Sequence, residues 1–347
     1  MKVGFIGNFR FEFCTETHLS KTLEALGHEL VRFQEDKHTA ESVAAGVREH
    51  AIDLLIWQRT WGLKGDGAKM LRELRCPSVA FHLDLYCGLK RAMPFERAVV
   101  EDPWWQCRYV FSADGGSDDF WEAHGVRHFW SPPAVYAPEC YLAEPDRAEY
   151  PHEVVFVGSR PYHPEWPWRG QLLDWLAATY GSRFGHYGNG GIKSCVRGAD
   201  LNRLYASAAV VVGDSLCLGF AHENYWSDRI PESLGRGAFL IHPRITGLGA
   251  HYVEGQHLAC FDYGDFEGLK RTIDRYLDPM HAAERETIRR QGHEHVKAHH
   301  TYEHRMRRML EVIAAAEGPS FPYPPLGALA ERAWCDGCPR CAAGETR

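Results

Sequence analysis

The sequence predicts an α/β protein with two Rossmann-like domains, each built on a parallel β-sheet. Apolar runs of strand length alternate with helical patterns from the first residues onward. The alternation breaks across residues 132–149, where proline, alanine and charged residues dominate, and then resumes. Parallel sheets covered by helices produce such a pattern, and their ligands bind at the carboxyl ends of the strands. The loops that follow the predicted strands are therefore the places to look for function.

Six strands are predicted in the first half of the chain. They cover residues 2–7, 28–34, 53–57, 78–83, 108–112 and 128–131. Leu19, Leu23 and Leu26 recur at helical spacing after the first strand, and Gly27 ends that helix, since glycine favours the position just past a helix. Further helices are predicted over 40–50 and 69–74.

The second half repeats the rhythm with five strands. These are predicted at 153–158, 183–187, 209–213, 238–242 and 258–262, and the helices at 169–180, 200–207, 231–235 and 266–277. A long charged helical stretch follows at 283–316, and the tail beyond it is rich in proline and glycine. We therefore predict domains at 1–135 and 150–282, helices at 283–316 that return to the first domain, and a tail at 317–347.

Bulk composition narrows the class of protein. The 347 residues have 45% hydrophobic and 24% charged side chains and a formal net charge of -7. A mildly acidic chain is not built for non-specific attraction to nucleic acid or to anionic membranes. No apolar run approaches the roughly 20 residues that span a bilayer. The 11 cysteines are an odd number and mostly scattered, which indicates free thiols and a cytoplasmic location.

The segment 224–243 is the most informative one. Glu232 opens a predicted helix, Gly237 follows five positions later, and an apolar strand comes next. A carboxylate there can accept hydrogen bonds from two neighbouring hydroxyls, and the helix N-terminus beside it can face a diphosphate. Arg229, three residues earlier, offers paired donors to phosphate.

This segment resembles the donor-binding motif of GT-B glycosyltransferases, especially the retaining family 4 enzymes and their spore-maturation-protein-like branch. The resemblance implies two Rossmann-like domains that face each other across a cleft, with a C-terminal crossover helix. It also implies that Glu232 holds the ribose hydroxyls of a nucleotide sugar. The first glutamate of the family motif falls on Asn224, which we keep as a donor-binding candidate, although the role of a carboxylate near the sugar is not carried over.

Other strand ends supply further donor-binding candidates. Gly158, Ser159 and Arg160 follow the first strand of the second domain, where the resemblance implies backbone amides and a basic side chain directed at the diphosphate. Tyr187 ends the next strand and is a candidate for bordering the base. Asp214 ends the third strand, also on the crevice side. An ordinary turn or strand terminus is the structural alternative at these positions.

Candidate catalytic residues lie in the first domain. His82 and Asp84 are two apart at the end of a predicted strand, so they can orient a sugar or act as acid and base. His18 lies at the first loop–helix junction, which the resemblance places on the acceptor side. A buried histidine satisfied by its neighbours is the structural alternative for both histidines.

Two features bear on metals. The chain has no Asp-x-Asp motif, the usual metal-binding element of GT-A transferases, so the sequence favours metal-independent transfer. The tail carries Cys335, Cys338 and Cys341, whose spacing suits a structural zinc completed by a ligand from elsewhere.

The sequence thus predicts a glycosyltransferase that uses a nucleoside-diphosphate sugar and needs no further cofactor. The family resemblance implies retention of anomeric configuration. The acceptor stays open between a glycan, a small metabolite, a protein and a modified DNA base. Two alternatives also stay open: a nucleotide-sugar epimerase of the same fold, and a non-catalytic protein that binds a nucleotide sugar or nucleic acid.

Overall fold

The computed structural model describes residues 1–58, 63, 66–84, 97, 102–116, 118–161, 167–215 and 224–323. The chain divides into two compact units. Unit 1 comprises Met1–Pro132 and the described residues from Tyr302 onward, and unit 2 comprises Pro133–Thr301.

Unit 1 is built on a six-stranded sheet in the order β2-β1-β3-β4-β5-β6. All of its pairings are parallel, as the alternating sequence predicts. The strands are β1 Lys2–Gly7, β2 Glu29–Gln34, β3 Leu54–Gln58, β4 Ser78–His82, β5 Tyr109–Ser112 and β6 His128–Trp130. The helices are α1 Thr15–Ala25, α2 Ala40–Glu49, α3 Gly67–Glu73, α4 Asp118–Ala123 and, from the C-terminal part of the chain, α10 Tyr302–Glu317.

Unit 2 contains a five-stranded parallel sheet in the order β11-β10-β9-β7-β8. Its strands are β7 Val154–Val157, β8 Phe184–Tyr187, β9 Val210–Val212, β10 Leu240–Pro243 and β11 Ala259–Phe261. Its helices are α5 Trp168–Tyr180, α6 Gly198–Ser207, α7 Arg229–Gly235, α8 Phe266–Leu277 and α9 Ala282–His299. The strands are buried on both faces because helices cover the sheet, which explains their continuous apolar character.

Local sequence sets several of these boundaries. Gly27 adopts a left-handed φ of +87° just after α1, the position predicted for it. Helix α2 begins with a capping box in which the Thr39 and Ser42 side chains satisfy each other's backbone amides. The C-terminal helical stretch is two helices, since α9 ends at His299 and α10 begins at Tyr302.

The short segment between α9 and α10 is held by backbone pairing. The Val135 amide donates to the His300 carbonyl over 3.1 Å, and Val135 and Thr301 form an isolated parallel bridge. The chain leaves unit 2 for unit 1 directly after Thr301. Among the described residues, no helix is long and apolar enough to cross a membrane.

Candidate active site

The sheet of unit 2 contains a topological switch point. Strand β7 lies between β8, which follows it in the chain, and β9, which belongs to the other half of the sheet. The connections that leave the carboxyl ends of β7 and β9 run in opposite directions, which opens a crevice between them. Ligands of open parallel sheets bind at such crevices, so the loops after β7 and β9 form the candidate site.

A buried ion cluster joins these two loops. Asp214, which follows β9, is completely buried, and its carboxylate accepts hydrogen bonds from Arg169 Nε at 2.8 Å and Nη2 at 3.0 Å. Arg229 Nη1 donates to the same carboxylate at 2.7 Å. Arg169 Nη1 also donates to the Ser159 carbonyl at 3.1 Å. Arg229 Nε donates to the carbonyl of Val157, the last residue of β7, also at 3.1 Å.

The electrostatics of the cluster keep Asp214 ionised. Burial by itself would raise the pKa of this carboxyl, but the charges of Arg229 and Arg169 outweigh burial and hold the pKa below its usual value. Both guanidinium groups also lie near the Phe156 ring, at 5.0 Å for Arg229 and 5.8 Å for Arg169. Two fixed cations therefore flank the switch point.

A neutral histidine borders the cluster. His242, on β10, is completely buried, and burial lowers its pKa to about 4. Its Nδ1 lies 2.8 Å from the Pro243 carbonyl oxygen, and its buried Nε2 has no hydrogen-bond partner among the described residues. The ring packs against the end of β9, since a Cβ on Gly213 would lie 2.8 Å from the His242 Cδ2.

Two glycines let the loops after β7 and β8 touch. The Gly158 amide donates to the Tyr187 carbonyl at 2.8 Å, and a Cβ on Gly188 would lie only 2.3 Å from the Gly158 carbonyl oxygen. Gly188 has a φ of +133°, a backbone conformation that side chains disfavour. A Cβ on Gly158 would lie 2.5 Å from Nη2 of Arg229. The Gly158 backbone therefore lies directly against a guanidinium group.

Three further predicted donor-site residues are Arg160, Glu232 and Asn224. Arg160 makes a two-point ion pair with Asp174 of α5 at 2.7 and 2.8 Å, and both side chains are exposed. Glu232 lies in the first turn of α7, with its carboxylate about a third exposed and 3.5 Å from the buried Arg236. Asn224 is half-buried and follows residues 216–223, which lie outside the described part of the chain.

Tyr187 ends β8 with its side chain in the core. The ring is 2% exposed, and its hydroxyl lies 2.8 Å from His152 Nδ1. The ring also packs edge-on against Tyr150. The part of Tyr187 that reaches the candidate site is its backbone carbonyl, through the hydrogen bond from Gly158.

The predicted catalytic residues of unit 1 lie on separate elements. His82 is the buried last residue of β4, stacked on Trp105 at a centroid distance of 5.4 Å. Its Nδ1 lies 2.9 Å from the Asp84 carbonyl oxygen and 3.2 Å from the Asp84 amide nitrogen, so these contacts involve the Asp84 backbone. His18 is buried in α1, where its carbonyl accepts a hydrogen bond from the Thr22 hydroxyl.

The sequence pattern places Arg169 after the Gly158–Arg160 loop without giving it a role, and it does not point to His242 as a site residue. Arg169 lies in the first turn of α5. The signal in the sequence was a basic residue that follows a strand and a glycine-containing loop. His242 is a polar residue inside an otherwise apolar strand, which was a second signal. Both signals were ambiguous because Arg169 and His242 lie far along the chain from Asp214 and Gly213, the residues at the end of β9 that they contact.

Metal-binding groups are a separate matter. Within the described ranges, no group of three or more histidine, cysteine, aspartate or glutamate side chains is placed to hold a metal ion. Cys335, Cys338 and Cys341, the predicted zinc ligands, lie outside the described residues.

Comparison with known proteins identifies the class. A family model described as "Glycosyl transferase-like" matches residues 169–311, which include Arg169, Asp214 and Arg229. The chain is a glycosyltransferase of the GT-B fold. The predicted enzyme class and fold are thereby confirmed, and the solved structures below share that fold. No curated protein sequence matches this glycosyltransferase.

Three solved structures illustrate the shared fold of this glycosyltransferase. Sucrose-phosphate synthase from Thermosynechococcus elongatus is 13% identical with a TM-score of 0.63, and the match covers 91% of this chain and 99% of that one. HepE from Anabaena, solved with UDP and glucose, is 15% identical with a TM-score of 0.62, covering 91% and 100%. An alpha-glucosyltransferase solved with UDP and a 13-mer DNA containing a HMU base is 13% identical with a TM-score of 0.63, covering 90% and 99%.

Proposed function

We propose that this glycosyltransferase moves a sugar from a UDP-sugar to an acceptor hydroxyl, with the donor bound at the switch point of unit 2. The observation that carries the proposal is the buried cluster of Asp214, Arg169 and Arg229, which joins the loops after β7 and β9. A diphosphate needs fixed positive charge and close backbone approach. The arginines supply the charge, and Gly158 supplies the close approach.

Asp214 makes Arg229 a suitable phosphate ligand by fixing its orientation. A guanidinium held on one edge by a carboxylate and two carbonyl oxygens has lost its side-chain freedom before the ligand arrives. Binding then costs less conformational entropy than it would for a mobile surface arginine. Arg160 forms a solvent-exposed ion pair with Asp174. We propose that it contributes its backbone amide and a less rigidly held positive charge to diphosphate binding.

Glu232 is proposed to hold the ribose. It lies in the first turn of α7, three residues after Arg229, and its carboxylate is accessible. A ligand whose diphosphate contacts Arg229 can place vicinal hydroxyls near this carboxylate, which accepts both hydrogen bonds. UDP is proposed as the nucleotide because HepE and the alpha-glucosyltransferase were solved with it.

The donor proposal is tested by thermal unfolding with UDP, GDP, ADP, CDP and dTDP. A ligand at 100 times its Kd stabilises a protein by roughly 2.7 kcal/mol. We expect UDP alone to raise the Tm, with the shift lost in Glu232→Ala and in Arg229→Gln. Glu267→Ala is the matched control, because Glu267 is an exposed first-turn glutamate of another helix in the same unit. No shift with any diphosphate, or an unchanged shift in Glu232→Ala, contradicts the proposed site.

The chemistry is proposed to be metal-independent and retaining. The arginine cluster offers the leaving diphosphate a positive environment of the kind a metal ion supplies in other transferases. EDTA should therefore leave both the UDP shift and turnover unchanged. The family resemblance predicts retention of the anomeric configuration. The test is the NMR spectrum of the product formed from UDP-α-glucose: an α-linked product means retention, and a β-linked product means inversion. Conversion of the donor to an epimer without acceptor would favour the epimerase alternative.

The ion pairs of α9 and α10 give a DNA acceptor no specific support. One structural neighbour was solved with DNA. In this chain, Arg289 and Arg290 of α9 pair with Glu286, and Arg307 of α10 pairs with Glu303. Paired charges of this kind do not form a basic surface for phosphate backbones, and the net charge of -7 opposes one. The primary proposal is therefore a non-nucleic-acid hydroxyl acceptor.

A further inference from the structure

An arginine with a buried side chain lies one helical turn beyond Glu232. Arg236 directly follows α7 and is 1% exposed. Its Nη2 lies 3.5 Å from Oε1 of Glu232, and the two residues have the i,i+4 spacing at which side chains of one helix meet. The Glu232 side chain is about a third exposed, so a ligand can reach its carboxylate while one carboxylate oxygen faces a buried cation.

Three other groups hold Arg236 in place, and all of them belong to unit 2. Its Nη1 donates to Asn202 Oδ1 at 2.7 Å and to the Gly198 carbonyl at 3.1 Å, both in α6. Its Nη2 forms an ion pair with Glu139. A guanidinium with partners on both terminal nitrogens keeps one orientation, because turning it would leave buried donors without acceptors.

Asn202 is itself held in a single orientation. It is completely buried, and its Nδ2 donates to the carbonyl oxygens of Glu139 and Tyr141, at 2.9 Å each. These two bonds use both hydrogens of the side-chain amide, so the amide oxygen is the end that faces Arg236. The backbone at residues 139–141 therefore orients Asn202, and Asn202 in turn orients Arg236.

Neutralising the charge of Arg236 does not require Glu232. Glu139 already pairs with the guanidinium, and a buried ion pair is in general no more stabilising than apolar side chains of similar size. What the arrangement adds is a fixed position for the exposed carboxylate of Glu232. A first-turn glutamate without such a neighbour moves among several rotamers, and binding a ligand then costs it that freedom.

We propose that Arg236 is a positioning residue, which holds the Glu232 carboxylate in the orientation that accepts the ribose hydroxyls of the donor nucleotide. The inference rests on the proposed function of Glu232. Because the guanidinium interacts with Oε1, the second carboxylate oxygen and the remaining lone pairs are left for the ligand. A carboxylate fixed in this way accepts from two vicinal hydroxyls together and discriminates against a nucleotide that lacks one of them. Arg236, oriented by Asn202, thereby sets the selectivity for ribose over 2′-deoxyribose.

The test compares the binding of UDP and 2′-deoxy-UDP to the full chain by isothermal titration calorimetry. In the wild type, the Kd for 2′-deoxy-UDP should exceed the Kd for UDP by roughly 10-fold or more, because a hydrogen bond to a charged group is lost. Arg236→Lys should reduce this ratio to roughly 1–3, mainly through weaker UDP binding, because an ammonium group cannot hold all the partners of the planar guanidinium. Arg289→Lys is the matched control and should keep the wild-type ratio, because Arg289 also pairs with a glutamate of its own helix and donates to a backbone carbonyl in the same unit.

A second variant keeps the proposal testable if Arg236→Lys does not fold. Glu139→Gln retains Arg236 and removes the charge that competes with Glu232 for its Nη2. The ratio of the two Kd values should therefore rise in Glu139→Gln, and an unchanged or lower ratio overturns the proposal.

The outcomes separate this proposal from the one on which it rests. If the wild type does not bind UDP, or if Glu232→Ala keeps the wild-type ratio, the proposed ribose role of Glu232 fails and the role of Arg236 falls with it. If Glu232→Ala loses the ratio but Arg236→Lys keeps it, only the Arg236 proposal is overturned. Equal weakening of both nucleotides in Arg236→Lys means that Arg236 has a merely structural role, which also overturns the proposal.

Discussion

Replacing Asp214 with asparagine tests the ion cluster most directly. The substitution keeps the shape of the side chain but removes the charge that Arg169 and Arg229 share. Arg169 is 3% exposed and donates two hydrogen bonds to the carboxylate, and Arg229 donates a third at 2.7 Å. Removing one partner of a buried ion pair leaves uncompensated buried charge, which costs about 3–5 kcal/mol. Since two guanidinium groups lose their partner here, we expect Asp214→Asn at the upper end of that range.

The matched control is Asp174→Asn. Asp174 also accepts two hydrogen bonds from an arginine, but its side chain is 69% exposed, and Arg160 is 40% exposed. Exposed pairs contribute about 0–1 kcal/mol, so this variant should differ little from the wild type. The two variants therefore have the same chemical change and similar geometry but opposite burial.

Urea unfolding followed by circular dichroism gives the free energy of each variant by linear extrapolation. The wild type and both variants are measured at pH 7, and the slopes are compared to confirm that all three unfold in the same manner. Stability losses that agree within about 1 kcal/mol for Asp214→Asn and Asp174→Asn would refute the reasoning, because burial would then make no difference. Asp214→Asn should also reduce the UDP shift, since Arg229 loses the only charged one of the three groups that orient it.

Three further predictions concern pH, backbone conformation and metals. Burial lowers the pKa of His242 from 6.5 to about 4, so between these two pH values His242 is protonated in the unfolded chain and neutral in the folded chain. Wild-type stability should fall by roughly 3 kcal/mol more than that of His242→Asn between pH 6.5 and 4, in urea unfolding at each pH. Gly188→Ala should destabilise unit 2 by at least about 2 kcal/mol, because Gly188 has a positive φ and an added Cβ would collide with the Gly158 backbone. Gly170→Ala in helix α5 should stabilise unit 2 by about 0.5–1 kcal/mol, because an added Cβ there meets nothing within 4 Å. Equal Tm values for the two variants would contradict this prediction. EDTA should leave the UDP-induced Tm shift and the rate of UDP release unchanged, and restoration of a lost shift by Mg²⁺ would contradict metal independence.

The strands and most helices follow from the sequence because their causes are local. Buried parallel strands read as short apolar runs, and the predicted strand at 78–83 differs by one residue from β4 Ser78–His82. The helix predicted at 266–277 matches α8 Phe266–Leu277, which has a strongly one-sided apolar pattern and an Asp265 cap. The break between α9 and α10 was not predicted, because the pairing of His300 and Thr301 with Val135 joins positions far apart in the chain.

The sequence by itself determined the α/β class, the two-fold repetition of strands and helices, and the resemblance around Glu232 and Arg229. These depend on hydrophobic periodicity and on a motif within about ten residues, so no long-range contact is needed to read them. Only the tertiary structure decided that Arg169 and Arg229 share the Asp214 carboxylate, because Asp214 is 45 positions from Arg169 and 15 positions from Arg229 in the chain. The burial of a charged group and its pKa depend on which distant residues surround it in the fold, so the electrostatics of the ion cluster could not be predicted from the sequence.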